Sequence, residues 1–394
     1  MAGAGKGHAI RRVAVLIEAS NAYARGLLAG IHRHVREHEP WTVFLPEHGR
    51  GAPPLGRLAH WHGDGIVARI ETAAIARVVA DLRRTGRIPV VDVSAARLLA
   101  DVPYVETDDG AIAALAAAHF AERGFRRFAF LGDGRFRWST NRQEAFAAAV
   151  VARGHAVDVF TPRGRRSAAA GDDDAAVEAW LRGLEKPIGL FACYDVRGRQ
   201  ALDACRRTGI AVPDEVAVLG VDDDEVLCEL ASPPLSSIVP DAAGAGRTAA
   251  EILDRLMAGG TVGGTEWLLP PLGITTRRST DVVAIDEPLV AAAMRYIRDH
   301  ADRGIKALDV SRALGISRRV LETRFVRRVG HTPHDEIARV QMRLVEGLLR
   351  ETDLPLATIA ARTGFRHPEY LTVAFTRHHG TPPSRWRREV CGDR

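Results

Sequence analysis

Cysteine is scarce in this 394-residue sequence, and long apolar runs are absent. The four cysteines have neither CxxC spacing nor the paired spacing of a zinc site, so we expect reduced, mostly buried thiols at Cys193, Cys205, Cys228 and Cys391. No stretch approaches the roughly 18 apolar residues of a membrane-spanning helix, and the N-terminal segment has no signal-peptide cleavage site. These absences predict a cytoplasmic protein with no membrane partner, no metal and no cofactor.

The motifs of common enzyme classes are also missing. There is no G-x-S-x-G elbow, no G-x-x-x-x-G-K-[ST] phosphate loop and no G-x-G-x-x-G after the first predicted strand. The acidic run 222–224 could hold a cation, but three consecutive side chains do not converge, so a solvated helix start is the better interpretation. We expect no metal site at the histidine groups 32/34/38 and 60/62, and no catalytic residue is predicted.

Charge is distributed unevenly along the chain. Residues 286–394 contain 20 Arg and Lys against 14 Asp and Glu, whereas residues 1–285 are nearly neutral. The chain has only three lysines, and six arginines fall within the segment 308–330. A basic part beside a neutral part indicates a polyanionic partner for the basic part; a merely solvated basic face is the alternative.

The first 280 residues alternate between short apolar, β-branched runs and helical patterns. The predicted strands are Val13–Ile17, Thr42–Leu45, Gly65–Ala68, Ile88–Val93, Phe128–Leu131, Ile188–Ala192 and Val216–Val221. The predicted helices are Tyr23–Glu37, Thr72–Thr85, Gly110–Arg123, Asn141–Arg153, Ala175–Leu184 and Val196–Thr208. This alternation predicts an α/β fold with two doubly wound parallel-sheet subdomains and a ligand cleft between them. A single large Rossmann-type enzyme domain is the competing architecture.

Polar and aromatic residues recur where these strands end. Side chains that donate or accept two hydrogen bonds, beside aromatic rings, suit a polyhydroxylated ligand. A strand-end polar residue taken alone is more often a helix N-cap or a turn residue. Because the pattern recurs, we predict a sugar cleft formed by six residues: Asn21, Tyr23, Trp138, Arg142, Asp195 and Asp222.

The C-terminal part contains an internal repeat. Residues 310–317 match 359–366 at an offset of 49, and Leu321, Phe325, Gly330 and Pro333 match residues 50 positions later. Each copy has a short helical pattern, a turn at glycine and a second amphipathic helical pattern, which predicts helix-turn-helix units at about 308–329 and 356–379. The intervening 335–349 has the period of one long helix. An ordinary pair of α-hairpins is the alternative.

Two such units can place their second helices in major grooves about 34 Å apart on one face of DNA. Val320, Leu321 and Phe325 are predicted to pack inside the first helix-turn-helix unit. The positions predicted to contact DNA are Ser317, Arg318, Arg319, Glu322 and Thr323 in the first helix-turn-helix unit, and His367, Glu369 and Tyr370 in the second helix-turn-helix unit.

These motifs resemble known families. Residues 288–390, with "IAARTGFRHPEYLTVAFTRHHGTPPSRWR" at 359–387, resemble the AraC/XylS-type DNA-binding domain. Residues 10–280, with "FACYDVRGRQAL" and "VPDEVAVLGVDDDEV", resemble the LacI-type, periplasmic-binding-protein-like effector domain, and 281–287 form the linker. This domain order is similar to that of the XylR-type xylose operon regulators.

The resemblance implies a transcriptional activator with D-xylose as inducer, promoter DNA and RNA polymerase as partners, and a homodimer. It also implies that Asp222 and Arg142 clamp sugar hydroxyls, that Asp195 is the acid of the preceding strand end, and that Asn21 and Tyr23 are first-loop contacts. A repressor, a sensor of another monosaccharide, or a sugar-modifying enzyme fused to a DNA-binding domain are the alternatives.

Overall fold

The computed structural model describes residues 10–46, 55–58, 61–162, 173–282 and 287–391. The chain forms two compact units, Met1–Val283 and Ala284–Arg394. Most of the predicted linker 281–287 lies outside the described residues, as does His60. None of the helices in the described ranges combines the length and the apolar character needed to span a bilayer.

The first unit contains two six-stranded sheets. The strands in chain order are β1 (Arg11–Leu16), β2 (Trp41–Phe44), β3 (Gly65–Ala68), β4 (Val90–Asp92), β5 (Tyr104–Thr107), β6 (Phe128–Leu131), β7 (Val157–Phe160), β8 (Ile188–Ala192), β9 (Val216–Val221), β10 (Ser236–Val239), β11 (Glu266–Leu269) and β12 (Gly273–Thr275). One sheet has the order β11-β5-β4-β3-β1-β2 and the other β12-β10-β9-β8-β6-β7. Among the described strand pairs, β12 with β10 is antiparallel and the others are parallel.

Helices cover both faces of these sheets. They are α1 (Ala22–Glu37), α2 (Leu55–Leu58), α3 (Ala73–Gly86), α4 (Asp109–Glu122), α5 (Arg137–Val151), α6 (Asp174–Gly183), α7 (Asp195–Thr208), α8 (Glu225–Leu230) and α9 (Ala242–Met257). On the first sheet, one core contains residues of α1 and α9 and a second core contains residues of α3. Since both faces are covered, the central strands are continuously apolar, as is typical of parallel sheets.

The chain passes between the two sheets three times. It leaves the first sheet after β5, returns through α9 and β11, and ends in the second sheet at β12. The predicted two-subdomain architecture is therefore confirmed, and the single-sheet alternative is wrong.

The seven predicted strands are present, with bounds that shift by up to two residues. The prediction missed five short strands: β5, β7, β10, β11 and β12. Strand β7 lies at a sheet edge and β11 alternates exposed with half-buried residues. Such strands lack the apolar run by which a buried strand is recognised.

Helices α1 and α9 approach each other closely through glycine. A Cβ atom added at Gly30 would overlap the carbonyl oxygen of Ala243 and lie 2.8 Å from the backbone nitrogen of Arg247. One added at Gly246 would overlap the carbonyl oxygen of Leu27. The small residues let the two backbones touch, and this contact fixes the helix whose first turn reaches the cleft.

The second unit is entirely helical. Its helices are α10 (Pro288–His300), α11 (Ala307–Ala313), α12 (Arg318–Val329), α13 (Pro333–Glu351), α14 (Leu356–Arg362), α15 (Pro368–His379) and α16 (Pro383–Cys391). One core includes residues of α10, α11, α12 and the first half of α13, and a second includes the rest of α13 with α14 and α15. The long helix α13 therefore contributes to both cores.

Glycines at positive φ make the turns of both helical repeats. Gly315 (φ 65°) follows α11 and Gly364 (φ 80°) follows α14, so each separates a short helix from the longer helix after it. Gly330 (φ 85°) and Gly380 (φ 74°) end α12 and α15 in the same left-handed conformation. The two predicted helix-turn-helix units are thus present.

Candidate functional site

A pocket lies at the carboxyl ends of both sheets. Its walls come from the two subdomains, which contribute polar groups and aromatic rings: Asn21, Tyr23, Arg69 and Glu106 from the first, and Trp138, Arg142 and Asp222 from the second. A few convergent polar groups beside aromatic rings are typical of small-molecule sites.

The first turn of α1 supplies two of these side chains. Asn21 caps the helix, because its Oδ1 accepts the Ala24 backbone N–H at 2.8 Å, while its Nδ2 donates to Glu18 at 2.8 Å. The Tyr23 hydroxyl donates a short hydrogen bond to the Glu106 carboxylate. The helix cap therefore sets the orientation of both pocket residues.

Arg69 follows β3 and is buried among carboxylates. It donates to Glu18 and to Glu71, each at 2.8 Å, and its guanidinium carbon lies 5.6 Å from the centre of the Tyr23 ring. Among the described residues, its buried Nε has no hydrogen-bond partner. A buried donor without a partner is costly, so Arg69 is poised to donate to a ligand oxygen in the pocket.

Arg142 forms the opposite wall with Trp138. Its Nε donates to Asp109 at 2.8 Å, one Nη donates to the Cys193 carbonyl at 2.6 Å, and the guanidinium lies over the Trp138 ring at 5.0 Å. Burial lowers the pKa of Arg142, but the neighbouring carboxylates of Asp109 and Asp222 raise it by more. Arg142 thus remains a fixed cation beside an aromatic face.

Asp222 reaches the pocket from a strained turn after β9. It has φ 109° and the next residue, Asp223, has φ 47°, values that favour glycine. Asp223 is held by Arg277 at 2.7 Å and by the Thr275 hydroxyl at 2.8 Å, so the turn is tied to the segment after β12. These bonds offset the strain that directs Asp222 at the pocket.

Asp195 does not line this pocket. It is buried at the start of α7, where Oδ1 accepts the Ser237 hydroxyl at 2.6 Å and Oδ2 accepts the Asp224 backbone N–H at 2.8 Å. Burial, and then the charge of Asp222, raise the pKa of Asp195 well above its ordinary value. The predicted direct contact with a ligand does not fit this placement, because the oxygens of Asp195 support the turn after β9.

Five of the six predicted cleft residues therefore meet in one pocket, and two further residues, Arg69 and Glu106, were missed. Glu106 belongs to β5, a buried four-residue strand that contains two polar residues. The available signal was the order Val105-Glu106-Thr107 followed by an acidic helix start, which repeats the strand-end pattern seen elsewhere. Arg69 follows a predicted strand directly, but only the fold shows that it turns inward.

Burial sets the charge state of Glu106. It raises the pKa of Glu106 to about 7, although the Tyr23 hydroxyl and the Arg69 guanidinium act in the opposite direction. Burial and the Glu106 charge likewise raise the pKa of Tyr23. Near neutral pH, therefore, Glu106 is present both in its protonated form, which can donate a hydrogen bond, and in its ionised form, which can only accept one.

We expect Glu106→Gln to weaken the pH dependence of stability between about pH 4.5 and pH 7. The folded Glu106 keeps its proton up to about pH 7, whereas the unfolded carboxyl loses it near 4.5. Its contribution to stability is therefore present below pH 4.5 and is lost as the pH rises to 7, at up to about 1.4 kcal/mol per pH unit. Urea unfolding at pH 5, 6, 7 and 8 measures this slope.

Asp92 and Asp195, whose pKa values are also raised, contribute to the slope that remains in that variant. Burial raises the pKa of Asp92 to about 7, so Glu106→Gln is expected to reduce the slope without removing it. An unchanged slope in Glu106→Gln would show that Glu106 titrates normally in the folded chain.

One histidine of the group 32/34/38 pairs with an aspartate. His34 is buried and its Nε2 lies 2.6 Å from Asp254, which also accepts from Arg11 and Trp41. In the second unit, donor atoms of Glu346, His378 and His379 lie within 4.8 Å of one another, a grouping that the sequence prediction did not contain. The hydrogen bond of 2.8 Å between His379 and Glu346 links α15 to α13.

In the second unit, the predicted DNA contacts lie at the start of α12 and α15. Ser317 caps α12 by accepting the Val320 backbone N–H at 3.3 Å. Arg318 pairs with Glu322 at 2.8 Å. Seven of the eight predicted residues are exposed, and Glu322 is partly buried: Ser317, Arg318, Arg319, Thr323, His367, Glu369 and Tyr370 form the exposed set.

One packing prediction was wrong. Leu321 and Phe325 are fully buried, as predicted, but Val320 is 40% exposed. Position 320 lies on the side of α12 away from the core, because one residue along a helix turns the side chain by about 100°. Val320 therefore belongs to the outer face of the unit.

Family comparisons match three consecutive parts of the chain. A XylR N-terminal domain matches residues 12–110, a periplasmic binding protein-like domain matches 117–280, and a helix-turn-helix domain matches 310–389. The first two matches lie within the first unit and the third lies within the second unit.

Whole-length relatives are also found. The xylose operon regulatory protein of Escherichia coli (strain K12) is 32% identical over 95% of this chain and 96% of its own length. The protein of that name from Haemophilus influenzae is 29% identical over 95% of this chain and 98% of its own length. A solved structure of a xylose-binding transcription activator, xylR, superposes with a TM-score of 0.80 at 30% identity, over 97% of this chain and 98% of that one.

Proposed function

Because this chain belongs to the family of xylose operon regulatory proteins, we propose that it binds D-xylose in the cleft of its first unit and regulates transcription by binding promoter DNA through its second unit. In this proposal residues 10–280 are the sugar-binding domain, 281–287 are the linker and 288–390 are the DNA-binding domain. By family membership we further propose that it is an activator that acts on RNA polymerase as a homodimer.

The observation that carries the proposal is the convergence of seven side chains from two sheets on one pocket. Arg69, Arg142 and Asn21 supply donors, Asp222 and Glu106 supply acceptors, and Trp138 supplies a flat apolar surface. A monosaccharide needs this combination, because each hydroxyl both donates and accepts while the ring carbons are apolar. Groups from both subdomains must be used at once, which favours a closed cleft.

Closure of the cleft provides the regulatory step. A ligand shifts a conformational equilibrium only by its difference in affinity for the two states, so D-xylose must favour one arrangement by about 1 to 3 kcal/mol. Sugar binding at Asp222 could be transmitted along the chain to the second unit, because the adjacent Asp223 pairs with Arg277. Arg277 lies six residues before the end of the first unit at Val283.

Calorimetric titration of the full chain with D-xylose, L-arabinose, D-ribose and D-glucose tests the proposal. We expect saturable binding of D-xylose, with the other sugars at least tenfold weaker, and a change in affinity for a promoter duplex when D-xylose is present. Tighter binding of another sugar would replace D-xylose as the effector. Chemical conversion of the sugar, or no binding of any of the four, would overturn the sensor function.

A further inference from the structure

The two helical repeats expose apolar side chains at equivalent positions. Val320 in α12 and Tyr370 in α15 are 50 residues apart and are 40% and 66% exposed. Three residues later, Thr323 is exposed and its equivalent, Val373, is 68% exposed. The outer face of each helix therefore carries two exposed side chains, about one turn apart, that have methyl groups or an aromatic ring.

Packing within the unit does not require these side chains. Leu321 and Phe325 bury the inner face of α12, and Leu371 and Phe375 bury the inner face of α15. A single exposed apolar residue is ordinary in a protein surface. Exposure of the same two positions in both copies of the repeat indicates instead that both helices make the same kind of contact with a partner.

Exposed arginines flank both pairs, although the acidic residues Glu322 and Glu369 also lie next to them. Arg319 and Arg327 flank Val320 and Thr323, while Arg366 and Arg377 flank Tyr370 and Val373; all four arginines are exposed. Tyr370, Val373 and Arg377 follow the spacing i, i+3, i+7 and so lie on one face of α15. The occupant of such a face must be a polyanion that also presents apolar groups.

Duplex DNA has this character, because the C5-methyl group of thymine is the apolar group that its major groove presents between phosphate backbones. We propose that α12 reads thymine methyl groups through Val320 and Thr323, and that α15 reads them through Tyr370 and Val373. The inference rests on the proposed DNA-binding function of the second unit and goes beyond it by naming the base feature.

The repeats carry opposite charges at an exposed position beside these pairs. Arg319 of α12 is replaced by Glu369 in α15. Arginine donates to guanine O6 and N7, whereas glutamate accepts from the amino group of cytosine. The two half-sites therefore share thymine contacts but differ in the neighbouring base.

The experiment selects duplexes from a randomised library with the full chain, with and without D-xylose. The expected product has two conserved blocks about one helical turn apart, each containing thymine. Each conserved thymine is then replaced by uracil, which pairs identically but lacks the methyl group. Wild-type affinity is expected to fall about fourfold per contacted methyl, the effect of removing one buried methyl-sized group.

Two substitutions, one in α12 and one in α15, show which helix reads which conserved block. Thr323→Ser removes one methyl and keeps the hydroxyl, so it should abolish the uracil effect at the thymine that Thr323 contacts in one block, and Val373→Ala should do the same at the thymine that Val373 contacts in the other. The matched control is Val151→Ala at the end of α5, a 63% exposed valine of the first unit, which should leave both uracil effects unchanged. Thermal unfolding of each variant verifies that the second unit remains folded.

The outcomes separate the inference from the function beneath it. If the full chain selects no duplex, the DNA-binding function fails and the inference with it. If duplexes are selected but uracil has no effect, or the effect survives in both variants, the methyl contacts are refuted while DNA binding stands. Unchanged DNA affinity with lost activation in Val373→Ala would assign this face to RNA polymerase and would equally refute the inference.

Discussion

Asp222→Asn is expected to weaken D-xylose binding about 100-fold. A hydrogen bond to a charged group contributes about 1.5 to 3 kcal/mol, and the substitution both removes the charge and turns one acceptor into a donor. It also removes a negative charge that raises the pKa of Arg142, which lines the same pocket. Because asparagine has nearly the same shape, the strained turn after β9 is retained, and calorimetric titration measures the loss directly.

A second aspartate separates this effect from general loss of charge. Asp203 lies on α7, in the same subdomain, with a side chain 40% exposed and paired only loosely with Arg206 at 3.3 Å. Asp203→Asn should leave the D-xylose affinity within a factor of two. If Asp222→Asn also binds within threefold of wild type, Asp222 is not a sugar contact and the proposed arrangement of the cleft is wrong.

Gly30→Ala is expected to destabilise the first unit strongly. The added methyl would overlap the carbonyl oxygen of Ala243, and backbone atoms cannot move aside as a flexible side chain can. Overpacking of this kind costs about 1 to 3 kcal/mol or more, which exceeds the gain of up to about 1 kcal/mol from replacing glycine within a helix. Urea unfolding of the full chain measures the difference.

The same substitution should weaken sugar binding, although residue 30 is two turns of helix away from the cleft. Separation of α1 from α9 displaces the helix whose first turn carries Asn21 and Tyr23. The matched control is Gly183→Ala at the end of α6, where an added Cβ meets nothing within 4 Å. That variant should be as stable as wild type, and equal stability of Gly30→Ala would show that α1 and α9 tolerate a wider separation.

The helix-turn-helix repeats were predictable because their determinants are local. Each repeat has a glycine turn (Gly315 or Gly364), a buried pair in its second helix and a terminal glycine (Gly330 or Gly380). Within one repeat these features lie within about 25 residues. Periodicity and glycine placement report on such short segments directly. The exposed side of each helix was less certain, since Val320 is apolar and still points away from the core.

The cleft was predictable in part. Residues in the loop or the helix that follows a recognised strand, such as Asn21, Arg142 and Asp222, could be assigned because the carboxyl ends of parallel strands meet at one edge. Glu106 could not, because its strand is too short and too polar for the pattern, and Asp195 was assigned to the ligand when its oxygens are taken by Ser237 and Asp224. Strand-end position therefore predicts the neighbourhood of a side chain but not the direction in which it points.

The amino-acid sequence by itself determined seven strands and six helices of the first unit in their order, the two helical repeats, the position of the basic charge and most residues of the cleft. Each depends on composition or on spacing along the chain. Only the tertiary structure decided that β11 completes the first sheet, that α9 packs on α1 through two glycines, and that Arg69 and Glu106 meet Arg142 and Asp222. These features join residues up to about 250 positions apart, and such pairings are set by packing of the whole unit, which local periodicity does not encode.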